Sequence, residues 1–114
     1  MSTPQSDLIE RVRALLASHP STREVPMFGG RSFMVEDRMV VAARKHGDLL
    51  VRIPAERHEE LTARPGATQA EMGTGRTMGP GWISVSADSV RTDEQLGFWL
   101  TVALDHHRAQ GRGR

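Results

Sequence analysis

Cysteine is absent from the 114 residues, which removes disulfide frameworks, cysteine-ligated zinc, iron–sulfur clusters and thiol nucleophiles from consideration. A reducing, cytoplasmic setting is the expectation that follows. Tyrosine is absent as well, and aromatics make up only 4% of the chain, so each Phe or Trp is expected to anchor packing. Lysine occurs once, at Lys45, beside fourteen arginines. Such a bias serves forked anion recognition or simply reflects a GC-rich coding sequence, and the arginines are scattered rather than clustered. The formal net charge of +1 offers no strong field to nucleic acid or to an anionic membrane. Met1 to Leu8 has neither a basic start nor an apolar run, and apolar stretches elsewhere reach only five or six residues, so neither a signal peptide nor a membrane span is expected.

What is present is ordinary globular material, with 38% apolar and 25% charged residues. A chain of this length can bury a core without staples, and no repeat or linker divides it. Residues 1–114 are therefore expected to form a single domain, with a core over about 7–108 and a basic tail over 109–114.

Hydrophobic periodicity sets out the elements. Leu8, Ile9, Val12, Leu15 and Leu16 form one helical stripe, with Thr3 before Pro4 or Ser6 before Asp7 as its start and His19-Pro20 as its end. From Glu24 to Ile53 the period is two, which predicts four short strands joined at Gly29-Gly30, Glu36-Asp37 and His46-Gly47-Asp48. An antiparallel meander is the economical topology, with Pro26 pushing its strand toward an edge. Pro54, placed at a first helical position, predicts a short helix to Ala63, stopped by Pro65-Gly66. The glycine-rich stretch 67–81 has room for one brief strand over 69–72 followed by a loop, and Trp82 to Ser86 alternates as another strand. Ala87-Asp88-Ser89 reads as a turn. Thr92-Asp93-Glu94-Gln95 is a capping box ahead of Leu96, Trp99, Leu100, Ala103, Leu104 and His107, so a C-terminal helix follows, fading at Gly111. The expected fold is α+β, an antiparallel β-meander sheet with N-terminal, short middle and C-terminal helices on one face.

No catalytic constellation stands out. Gly29-Gly30 lacks the frame of a phosphate-binding loop and reads as a hairpin turn. His106-His107 are adjacent, so their rings point about 100° apart on a helix and do not readily share a metal. Glu56, Glu59 and Glu60 read as a solvated face, and Ser84, Ser86 and Ser89 lack a nucleophile elbow. The Gly73–Gly81 loop with Arg76 is the best candidate for a functional, anion-holding loop, although the more ordinary reading is a tight glycine crossing with Arg76 paired to a carboxylate such as Glu71. Arg52 invites either anion binding or a stem laid along the sheet with pairing at the rim. The methionines Met27, Met34, Met39, Met72 and Met78 suit a groove or an irregular core. Phe98 beside Trp99 hints that one ring is left for a dimer or partner surface.

Taken together, Met27-Phe28-Gly29-Gly30, Phe33-Met34, the Gly47 to Arg52 strand, and Met72…Gly75-Arg76-Thr77-Met78…Gly81-Trp82 resemble the TfoX/Sxy N-terminal domain family in order and spacing. The resemblance spans about residues 7–108. It departs at Thr77, where the family often has Pro, and in a longer approach to Trp82. It implies a non-enzymatic regulatory module without a cofactor, related to competence regulators that act as coactivators with the cyclic AMP receptor protein. Those regulators carry a further C-terminal helical domain, so the chain reads as a stand-alone N-terminal module. The candidate motif and binding residues are Phe28, Gly29, Gly30, Arg52, Gly75, Arg76, Met78 and Trp82. A protein partner of the cyclic AMP receptor type or a second copy in a homodimer is expected, with direct DNA contact as a weaker version. The alternative from another class is a small-ligand or anion-binding protein, even an enzyme, that uses the Arg52 and Arg76 region.

Overall fold

The computed structural model describes residues 4–17, 22–27, 30–36, 38–44, 47–73, 76–77 and 81–112. Helix α1 (Pro4–Leu15) begins on Pro4, whose fixed φ and missing N–H suit the first helical turn, and buries Leu8 and Val12. Leu16, just beyond it, is buried with them, while Leu15 is the one exposed large apolar side chain among the described residues.

The period-two region forms the four strands expected: β1 (Thr22–Met27), β2 (Gly30–Val35), β3 (Arg38–Ala43) and β4 (Leu49–Arg52), each antiparallel to the next. Pro26 lies on β1, an edge strand, where a missing donor leaves no ladder bond unmade. The β2–β3 pairing slips between Phe33 and Met34, and Val40 and Val41 then both enter the core. This bulge breaks the simple alternation that the sequence implies. Glu36, in the β2–β3 turn, sits at φ 52°, uncommon for a residue with a Cβ.

Beyond β4 the order changes. Pro54 is the N-cap rather than the first residue of a 3-10 turn (Ala55–Arg57), which leads into helix α2 (His58–Thr62). The glycine-rich stretch holds three strands rather than one: β5 (Ala67–Gln69), β6 (Glu71–Gly73) and β7 (Arg76–Thr77). Strand β8 (Trp82–Val85) then inserts between β4 and β5, giving the sheet order β1-β2-β3-β4-β8-β5. The meander therefore ends at β4. Among the described residues, β6 and β7 pair only with each other, as a ribbon outside the main sheet. Ala87-Asp88-Ser89, expected as a plain turn, close with Val90 into a 3-10 helix.

Helix α3 (Asp93–Arg112) carries the capping box in full. The Gln95 backbone N–H donates to Thr92 Oγ1 at 3.1 Å, and the Thr92 N–H donates to Gln95 Oε1 at 3.0 Å. Such a cap contributes about 1 kcal/mol. The helix continues through Gly111 to Arg112, so most of the expected tail is helical. Arg11 ties α1 to the start of α3 by donating to the Val90 carbonyl at 2.8 Å and to Asp93 at 3.4 Å. One face of the sheet, lined by Phe33, Val41, Val51, Ile83 and Val85, packs with Leu8, Val12, Leu96, Trp99 and Leu100 into the main core. A second cluster, Ala42, Leu50 and Ala70 with half-buried Met39 and Trp82 against it, lies apart from that core.

Candidate functional site

Arg52 ends β4 and pairs across the ladder with Trp82, the first residue of β8. Strand alternation puts both on the face opposite Val51 and Ile83, which go into the main core. The Arg52 guanidinium lies over the Trp82 ring, 5.6 Å from its centroid. A cation held over an indole is attracted by the negative face of the ring while its N–H edges stay available. Half-buried Met39 and the buried Leu50, Ala42 and Ala70 form one small apolar cluster with Trp82.

The ribbon is rooted beside this pair. Its outgoing end is fixed by the Ala70 N–H donating to the Trp82 carbonyl at 3.3 Å, and its return by the Ile53 N–H donating to the Gly81 carbonyl at 2.8 Å. Gly81 sits at φ 102° and is buried, a conformation open to glycine and costly for other residues. Its N–H donates to His58 Nδ1 at 3.3 Å. With Nδ1 accepting, the proton of neutral His58 is on Nε2, facing away from that bond.

Helix α3 brings two more imidazoles to the region, and they have separate jobs. His107 is buried, and its Nε2 lies 2.9 Å from Glu36 Oε1, clasping the β2–β3 turn to the helix. His106 is held below the usual imidazole range, chiefly by burial and then by the positive charge of Arg52, with Glu56 pulling the other way. Among the described residues, no group of three or more His, Asp or Glu is arranged to hold a metal ion.

Of the residues singled out in the sequence, the structure joins Arg52 with Trp82. Gly30 is at the other end of the sheet, paired with Met27. Arg76 pairs with Gly73 in the ribbon backbone, while Phe28, Gly29, Gly75 and Met78 lie outside the described residues. The rim pairing considered for Arg52 is replaced by its seat on Trp82, with no carboxylate partner among the described residues. The surplus aromatic considered for a dimer surface is Phe98, half-buried, with Trp99 edge-on at 5.1 Å and the Arg64 guanidinium 3.9 Å from its ring centroid. That ring is covered by a cation, and the recess beside it, about 150 Å³, is lined by Arg64, Pro65, Ser89, Gln95, Phe98 and Trp99. His58 was the residue that sequence reasoning missed, because its partner Gly81 is brought to it only by the insertion of β8 next to β4.

A family model described as the TfoX N-terminal domain matches residues 14–107. The chain belongs to the TfoX N-terminal domain family. No curated protein and no solved structure matches it. No helix among the described residues is long and apolar enough to cross a membrane. The matched span of this TfoX-type domain runs from the last turn of α1 to His107, so both Gly30 and the Arg52–Trp82 pair fall within it.

Gly30 has a packing reason to be glycine. A Cβ there would lie 2.5 Å from the Ala43 carbonyl oxygen and 3.3 Å from Arg44 Cα, both backbone atoms of the neighbouring chain segment. Replacing Gly30 with alanine is expected to cost about 1–3 kcal/mol of unfolding free energy, because β2 must move away from its neighbour. Urea denaturation checks this, and a variant with an unshifted midpoint would show that the close approach is not required.

Proposed function

We propose that this TfoX-type domain is a regulatory interaction module that acts in the cytoplasm, through a protein partner, in the control of transcription, and performs no chemistry of its own. The observation that supports this reading is the Arg52–Trp82 pair at the root of the ribbon, with half-buried Trp82 and Met39 packed on a small buried apolar cluster. Tryptophan and arginine are the side chains that most often dominate protein interfaces, since each combines large contact area with a directed polar group. Direct DNA recognition is less well supported. Arg11, Arg13, Arg31, Arg57, Arg91 and Arg108 face carboxylates of the chain itself, so much of the positive charge is already compensated. A transcription factor of the cyclic AMP receptor type is the partner that family membership favours.

The test is biolayer interferometry of the purified chain against purified cyclic AMP receptor protein, with and without cyclic AMP, joined to in vitro transcription from a receptor-dependent promoter. Saturable binding together with altered transcript yield is the expected result. Absence of both sinks the proposal. Fluorescence anisotropy with a labelled duplex at low and moderate salt, run in parallel, reads direct DNA binding by its salt dependence.

A further inference from the structure

Around Trp82 the structure assembles hydrogen-bond donors without matching acceptors. Arg52 is half-buried, yet no carboxylate of the described residues reaches it, in contrast to Arg11, Arg13, Arg31, Arg57, Arg91 and Arg108, which pair with Asp or Glu. Its guanidinium carbon lies over the Trp82 ring at 5.6 Å from the centroid, and its N–H groups make no hydrogen bond among the described residues. The Trp82 indole N–H makes no hydrogen bond among the described residues. His58, whose Nδ1 is taken by the Gly81 N–H, has only an Nε2 donor left to offer. Glu56 is exposed and forms no ion pair with Arg52, although it is close enough to act on His106. None of these nitrogens is a fully buried atom without a partner, so in the free chain they reach water and stand open to an incoming oxyanion, which a forked charge-assisted pair would hold.

We infer that the Arg52–Trp82 pair is a docking site for one carboxylate of an acidic, apolar segment of a partner protein, the carboxylate forking onto Arg52 and an adjoining apolar side chain covering Trp82 and Met39. The inference deepens the protein-partner reading and rests on it. Charge selects this occupant over nucleic acid. A net charge of +1, with Glu36 exposed on the β2–β3 turn and Glu56 beyond β4, accommodates a single anion but provides no extended field for a polyanion. The half-buried Met39 and Trp82 next to the guanidinium ask for an apolar neighbour beside the carboxylate.

The experiment uses the ¹⁵N-labelled full chain and the indole N–H signals of its two tryptophans, assigned with Trp99→Phe. The probes are a blocked Leu-Glu-Leu-Glu-Leu peptide, its Leu-Gln-Leu-Gln-Leu counterpart, inorganic phosphate and a short DNA duplex. The Glu peptide is expected to shift the Trp82 signal saturably while that of buried Trp99 stays in place, and the Gln peptide to leave both unmoved. Arg52→Gln should weaken the Glu peptide by about tenfold or more, with Arg52→Lys in between, since a charge-assisted forked pair is lost in the first and only its geometry in the second. An unchanged Trp99 signal in both variants verifies the fold. An unmoved Trp82 signal, equal shifts with the Gln peptide, or stronger effects from phosphate or DNA each overturn the assignment. If the cyclic AMP receptor protein binds Arg52→Gln as well as the unaltered chain, the carboxylate site fails and the protein-partner reading survives. A Trp82 response to the Glu peptide without binding of that protein retains the carboxylate site and removes the cyclic AMP receptor protein as its partner.

Discussion

Replacing Phe33 with alanine is expected to lower the unfolding free energy by about 3–5 kcal/mol. Phe33 is fully buried, on the second strand of the sheet, and lies in the cross-sheet row Glu24–Phe33–Val41–Val51–Ile83. Beside it the Val40–Val41 bulge turns two valines inward, so the ring fills space where the sheet bends away from its regular pleat. Deleting the ring leaves a cavity in the close-packed core, and the cavity term adds to the lost transfer energy. A loss of that size is a large fraction of the 5–15 kcal/mol that about 100 residues typically retain. Equilibrium urea unfolding followed by tryptophan fluorescence checks it, with Phe33→Leu as the variant expected to lose much less. A Phe33→Ala midpoint equal to that of the parent would show that the core collapses around the deletion.

Gly66→Ala is expected to cost about 2–4 kcal/mol, by two routes that add. Gly66 sits at φ 79°, in the left-handed region that a Cβ disfavours. It is also overlaid by the Ser86–Ser89 hydroxyl pair, and a Cβ there would stand 2.6 Å from Ser86 Oγ and 2.7 Å from Ser89 Cβ. Ser89→Gly removes the Ser89 contacts but not the one with Ser86 Oγ, so it should recover only part of the steric loss and none of the backbone part, and the double variant is expected to melt between Gly66→Ala and the parent. An unchanged melting temperature in Gly66→Ala alone would refute both routes. The position matters for the site, because the Gly66 carbonyl accepts from the Ser86 N–H at 2.9 Å, just after the strand that Trp82 begins.

Much of the scaffold is legible in the sequence because its signals are local. The Thr92–Gln95 box is a four-residue device whose two hydrogen bonds involve only its own ends, and both are present. The four strands up to Arg52 follow from period-two alternation, and the edge position of β1 follows from Pro26. The ribbon is not legible. Glycines at 73 and 75 remove the side chains that would reveal alternation, so two strands of three and two residues look like loop. The bulge at Val40–Val41 has no local signal either, since an extra residue in one strand is defined only by what its partner strand does. Of the candidate residues, Arg52 and Trp82 can be picked out singly, but nothing local says that they meet.

Sequence alone determined the composition-level exclusions, the helix at each end, the α+β class and the family. These depend on periodicity, caps and motifs that act over a few residues, where the chain's own stereochemistry dominates. Tertiary structure decided that β8 enters between β4 and β5. That single long-range pairing sets Arg52 over Trp82 and brings the Gly81 N–H to His58. The core face of β8 holds Ile83 and Val85, and burying them between β4 and β5 fixes the register, which in turn fixes what stands on the opposite face. The donor cluster is therefore a consequence of apolar packing on the far side of the same strands, visible only once the sheet is assembled.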